Sequence, residues 1–150
     1  MNRIVNEIYF ASTYEEIYQI CNKLDEVKDC ELGKEALFNY ICEGLKIKKA
    51  FPFASYDDGM NGCIVLTIAK TLFGDLAVTV VFVWIDKKYP DLWEKYLKFV
   101  EDVAEEIKAN RIIGSTMRKG AARKLEEFGY KETYRIIEKK IGNKEEKEVI

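Results

Sequence analysis

The sequence predicts an α/β domain of the α+β kind, in which helices pack on a central sheet. Three observations carry this. Two β-branched runs, CIVLTIA (63–69) and AVTVVFVWI (77–85), flank a turn at Phe73-Gly74-Asp75, the pattern of an antiparallel hairpin. The stretch Asp91–Ala109 puts Leu92, Trp93, Tyr96, Leu97, Val100, Val103, Ala104 and Ile107 on one side and lysines and glutamates on the other, so its apolar stripe needs a sheet to cover it. With 150 residues, 48% of them apolar and 33% charged, the chain can bury one core but not two.

The elements follow in order. NEIYFASTYEEIYQI reads as a short strand, Ile8 to Ala11, then a helix capped at Ser12 or Thr13 with Glu15 and Glu16 in its first turn and Ile17, Ile20 and Leu24 at helical spacing. Gly33 separates it from a second helix, GKEALFNYICEGL, whose apolar face is Leu37, Ile41 and Leu45 and whose end Gly44 should weaken. A strand over 51–56, closed by Asp57-Asp58-Gly59, precedes the hairpin. After the long helix come a strand over 111–116, a helix over 119–128 ended by Gly129, and a last strand over 131–140. The expectation is one domain over 1–141 and a frayed tail, GNKEEKEVI, at 142–150.

Composition excludes several classes of function. Net charge is −2, so wholesale binding to nucleic acid or an anionic membrane is not expected. No apolar run approaches the length of a membrane span. There is no histidine, which removes Ser/His and Cys/His nucleophile systems, and the four cysteines form no CxxC pair. No secretory signal is evident, so the chain is expected in the cytoplasm with Cys21, Cys30, Cys42 and Cys63 reduced and no metal bound.

Late in the chain, RIIGSTMRKGAARKLEEFGYKETYRIIEKKI combines a strand, a short helix with Ala121 and Ala122, a Gly129-Tyr130 pair and a final strand. Together with GCIVLTIAKTLFGDLAVTVVFVWID, this resembles the GNAT superfamily of acyl-CoA N-acyltransferases over about residues 60–141, and small phage-encoded members share its size and style. The resemblance implies a mixed central sheet with helices on both faces. It also implies acyl transfer from a donor such as acetyl-CoA to a small-molecule or protein amine. The donor would bind along the strand backbone at Phe82, Val83, Trp84 and Ile85, and Asp86 and Ser115 are the candidate catalytic groups, as base and as hydrogen-bond donor. Four cations, Arg118, Lys119, Arg123 and Lys124, are candidates for holding its phosphates.

The family cradles pyrophosphate where the central strand hands over to a helix, using an Arg or Gln and two small residues. By an ungapped reading those positions fall here on Pro90, Trp93 and Lys95, with Asp91 at the helix start. Proline offers no N–H, tryptophan fills space, and aspartate repels an anion. The family's frequent tyrosine acid corresponds to Leu125. The alternative is therefore a GNAT-shaped protein that has lost the donor and binds another protein; a homodimer is compatible with either.

Overall fold

The computed structural model describes residues 4–27, 33–114, 123, 125–131, 139 and 141. Two compact units divide the chain, Met1–Ser115 and Thr116–Ile150. The described strands, β1 (Tyr9–Phe10), β2 (Ala50–Tyr56), β3 (Met60–Lys70), β4 (Leu76–Ile85) and β5 (Arg111–Gly114), lie side by side in chain order in the first unit. Pairing is antiparallel from β1 to β4 and parallel between β4 and β5, so the sheet is mixed.

Side chains alternate across β3 and divide the core in two. Cys63 and Val65, with Ala54 and Phe82, face α1 (Tyr14–Asn22) and α2 (Lys34–Lys46). Ile64 and Leu66, with Val78 and Ile85, face α3 (Leu92–Glu106). Helices thus cover both faces, as expected. The α3 stripe is buried at Leu92, Tyr96, Leu97, Val100 and Ala104, and Trp93 and Val103 pack at its margin. Each fully buried side chain of this kind contributes about 1.5–3 kcal/mol.

Local chemistry sets the boundaries. Thr13, not Ser12, caps α1: its Oγ1 accepts the Glu16 N–H at 3.2 Å and donates to Glu16 Oε1 at 3.0 Å. The helix stops earlier than its apolar spacing suggests, because the Lys23 N–H turns to the Ile20 carbonyl and a 3-10 turn, Lys23–Glu26, carries Leu24 into the core. Gly44 is buried in the last turn of α2. A Cβ there would lie 2.2 Å from Ala50 Cβ, so glycine lets β2 start directly against the helix. Asp91 stands at the α3 N-cap in helical geometry, with no side-chain hydrogen bond capping the helix. The hairpin tip is tied to β5 by Arg111 Nε, 2.8 Å from Asp75 Oδ2. That bond, followed by one from Thr71, holds the Asp75 carboxyl below the usual range. In the second unit, residues 125–127 are helical and close at Gly129 (φ 90°), where the Tyr130 N–H bonds the Leu125 carbonyl at 3.1 Å.

Candidate functional site

The middle of β4 is irregular. Val65 pairs with Phe82 but Leu66 pairs with Val80, so Val81 is an extra residue. Its consequence is visible in the side chains: Val81 and Phe82 both join the α1/α2 core, while Val80, Val83 and Ile85 turn to α3. Such a bulge bends a strand and strengthens its twist. On the opposite edge, β4 pairs with β5 from Ala77–Arg111 to Val80–Gly114, Gly114 being the last described residue of that stretch.

Of the side chains expected to line a donor site, Phe82 and Ile85 are buried in opposite cores and Val83 and Trp84 are half-buried. What this stretch offers along its edge is backbone. Trp84 lies on the α1 side, where Lys23 Nζ sits 4.4 Å from its ring centroid.

Asp86 is tied into the turn that follows. Its N–H donates to the Asn61 carbonyl at 2.9 Å, its carbonyl accepts the Tyr89 N–H at 2.9 Å, and its Oδ1 accepts the Lys88 N–H at 3.0 Å. Further on, the Leu92 N–H bonds the Tyr89 carbonyl at 3.1 Å and the Trp93 N–H reaches the Pro90 carbonyl at 3.4 Å. The amides of Lys88, Tyr89, Leu92 and Trp93 are thus all engaged within the joint itself. The Tyr89 hydroxyl donates to Asp57 Oδ2 at 3.0 Å, and this bond raises its pKa. An open hollow of about 270 Å³ lies beside the joint, edged by Asn6, Lys88, Tyr89, Pro90, Asp91 and Lys95.

Sequence reasoning missed a buried polar chain beneath this joint. The Tyr96 hydroxyl donates to Ser55 Oγ at 2.7 Å, Ser55 donates to Asn61 Oδ1 at 2.7 Å, and Asn61 Nδ2 donates to Asn6 Oδ1 at 2.6 Å. Ser55 and Asn61 are almost fully buried, and burial pushes the Tyr96 hydroxyl pKa up. Gly62 makes room for the chain, since a Cβ there would come within 2.8 Å of Tyr96 Cε2. The available signal was Asn61-Gly62 opening an otherwise apolar strand.

Of the cations named above, Arg123 is exposed; Arg118, Lys119 and Lys124, like Ser115, lie outside the described residues. Cys21, Cys42 and Cys63 are free thiols, and Cys30 lies outside the described residues. Burial pushes Cys21 up to about 11 and Cys63 higher still. Among the described residues no group of three His, Cys, Asp or Glu could hold a metal, and no helix is long and apolar enough to cross a membrane.

No protein-family profile and no curated protein sequence matches the chain. Solved structures do. Aminoglycoside 6'-N-acetyltransferase of Acinetobacter haemolyticus superposes with a TM-score of 0.70 at 12% identity, over 91% of this chain and 99% of that one. Glucosamine-6-phosphate N-acetyltransferase of Arabidopsis thaliana gives 0.67 at 12%, over 91% and 98%. A predicted acetyltransferase from Clostridium acetobutylicum, solved with acetyl-CoA, gives 0.70 at 10%, over 89% and 96%. At these identities the likeness is one of fold: the chain has the GNAT-like α/β architecture that these acetyltransferases share.

Proposed function

We propose that the chain is a divergent N-acyltransferase, moving an acyl group from acyl-CoA, with acetyl-CoA the simplest donor, to an amine. The carrying observation is the bulge at Val81, which turns Val81 and Phe82 together toward the α1/α2 core and bends the edge of β4. Backbone N–H and C=O groups along that edge suit the amide-bearing arm of the donor, and an N–H aimed at the thioester oxygen would stabilise the oxyanion of the transfer step. The amine must lose a proton to attack; Asp86, or Asp57 on the neighbouring loop, would take it through a water chain, and Ser115 would donate to the departing thiolate. Phosphate charge would fall to Arg118, Lys119, Arg123 and Lys124 in place of the joint, where the Lys88, Tyr89, Leu92 and Trp93 amides are already engaged. The protein then acts in the cytoplasm on a small-molecule or protein amine.

A second reading has an observation of its own. The internal bonding of the joint, with Pro90 and Asp91 at its centre, removes the amide cradle that such donors use, and this favours a protein that kept the fold and binds a protein partner instead. Titration with acetyl-CoA separates the two. A ligand at a hundred times its dissociation constant adds about 2.7 kcal/mol to stability, which for this length raises the melting midpoint by about 5–10 °C. The enzyme reading expects such a rise, abolished by charge reversal at the four cations. Its absence at millimolar acetyl-CoA would leave the partner-binding reading.

A further inference from the structure

We infer that one end of the sheet docks the protein on an anionic phospholipid bilayer, with Leu72 and Phe73 at the hairpin tip entering the headgroup region and the lysines behind them meeting lipid phosphates. The inference does not depend on the acyltransferase reading. Three loops form this end, all within the first unit. The turn from α2 into β2 meets the end of β3, where the Ile68 N–H donates to the Lys49 carbonyl at 3.2 Å. The β3–β4 turn closes on the pairing of Lys70 with Leu76, and the turn from α3 into β5 joins it through the Asn110 N–H, which donates to the Leu76 carbonyl at 2.9 Å.

The tip is apolar where the turn does not require it. Leu72 and Phe73 are 103% and 81% exposed, the highest values among the described large apolar side chains, and Ile47 on the neighbouring loop is 65% exposed. Other residues hold the turn. The Thr71 N–H donates to the Asp75 carbonyl at 2.8 Å, the Gly74 N–H to the Thr71 carbonyl at 3.0 Å and the Phe73 N–H to Thr71 Oγ1 at 3.1 Å, while Gly74 takes the positive φ of 86°. The Arg111 guanidinium, fixed by Asp75, sits 5.1 Å from the Phe73 ring centroid and steadies the tip without covering it. Such a knob is ordered before it binds, so docking costs little conformational freedom.

Charge selects the partner. Residues 46–49, 70–75 and 107–111 hold six cations and one acid, Asp75, which Arg111 engages. The other five cations, Lys46, Lys48, Lys49, Lys70 and Lys108, are exposed and make no ion pair among the described residues. Glu43, Glu105 and Glu106, the acids nearest in sequence, stand a turn or less back on their helices. A net charge of −2 averages over the whole chain and hides this end. Apolar side chains at the apex with cations one step behind repeat the order of an anionic bilayer, acyl region first and phosphates outside it, and both contributions strengthen interfacial binding. A nucleic acid would draw the lysines but has no use for an aliphatic apex.

The test is flotation of the full chain with vesicles of phosphatidylcholine and phosphatidylglycerol in equal parts, and with phosphatidylcholine alone. Partition onto the mixed vesicles should be stronger by at least about tenfold. Leu72→Ser combined with Phe73→Ser, at two exposed positions, should leave the fold intact and weaken that partition by at least about tenfold. Lys49→Gln and Lys70→Gln should each weaken it about fivefold, whereas Lys87→Gln, the same charge change beyond the other end of β4, should leave it unchanged. No partition onto the mixed vesicles, equal partition onto both kinds, or a loss in Lys87→Gln as large as in Lys49→Gln would overturn the inference. Binding to polyglutamate or DNA as tight as to the mixed vesicles would assign the lysines to an acidic protein or a nucleic acid, and would overturn it as well.

Discussion

Tyr96→Phe removes one oxygen atom and leaves the packing of the ring intact, which makes it a clean probe of the buried chain. In the protein the Tyr96 hydroxyl donates to Ser55 Oγ, whose own proton is committed to Asn61 Oδ1. Phenylalanine therefore strands an acceptor at a position with no exposure to water. Leaving a buried group unsatisfied costs about 1–3 kcal/mol. We take about 1–2 kcal/mol, since Ser55 keeps the bond it donates. With an unfolding entropy of about 2.1 cal/mol/K per residue, the melting midpoint should fall by about 3–6 °C. Ser55→Ala should cost more, because it strands both the Tyr96 hydroxyl and Asn61 Oδ1. The double mutant strands only Asn61 Oδ1, one orphan against the three of the two single changes, so the two changes should be non-additive by about 2 kcal/mol. Urea unfolding of the four proteins measures all of this. If Tyr96→Phe matched the parent, or the two costs simply added, the bonds would contribute nothing, and the closeness of Gly62 to Tyr96 would be a matter of packing alone.

Three further outcomes are expected. Gly44→Ala should lower stability by about 1–3 kcal/mol despite alanine's better helix propensity, because its methyl collides with Ala50; a gain in melting temperature would show that β2 can step back. Stability should hold up to about pH 9 and then fall toward pH 11, since the folded chain keeps the Cys21 proton, held up to about 11 by burial, that the unfolded chain releases near 9; urea midpoints across that range, flat where a fall is expected, would count against the buried thiol. Asp91→Asn removes a charge that caps nothing, so the midpoint should move by no more than about 1–2 °C, while acetyl-CoA affinity measured by calorimetry should rise if the joint lies near the phosphates.

The described strands and helices were legible because their patterns are periodic and their turn residues are specific; the helix expected over 119–128 is described only in part, and the strand expected over 131–140 lies almost wholly outside the described residues. Asp57-Asp58-Gly59 and Phe73-Gly74-Asp75 close strands where expected, with Asp58, Gly59 and Gly74 all at positive φ. What was hidden depends on contacts between distant residues. Gly44 reads as a helix breaker in one dimension and acts as a spacer against Ala50 in three. Asn61 reads as a loop residue, yet it is 1% exposed, because Ser55 and Asn6, six and fifty-five residues away, satisfy it.

The bulge was hidden for a different reason, and it bears most on function. Period-two alternation is visible only when the two faces of a strand differ in polarity, and AVTVVFVWI is apolar on both because helices cover both. An extra residue then leaves no mark in the sequence, although it moves Val81 and Phe82 to the same side. The same apolarity makes the feature tolerant of change. A site made of strand backbone asks only that the side chains at 81–85 fill two cores, and many sequences satisfy that. A phosphate cradle at a helix start asks for small residues with free N–H groups at set positions, and one proline or tryptophan spoils it. Divergence should therefore erase the joint long before the bulge, and a chain at 10–12% identity to acetyltransferases of its fold is where the two would part. If donor binding survives here, it should depend little on residues 90–95 and strongly on the strand edge beyond Val80. Proline at Val83 or Ile85, on the β3-paired strand, would break the fold as well as the site, whereas Val81→Gly, which relaxes the bulge and removes a side chain packed at the margin of the α1/α2 core, should weaken acetyl-CoA binding more than Val81→Ala does.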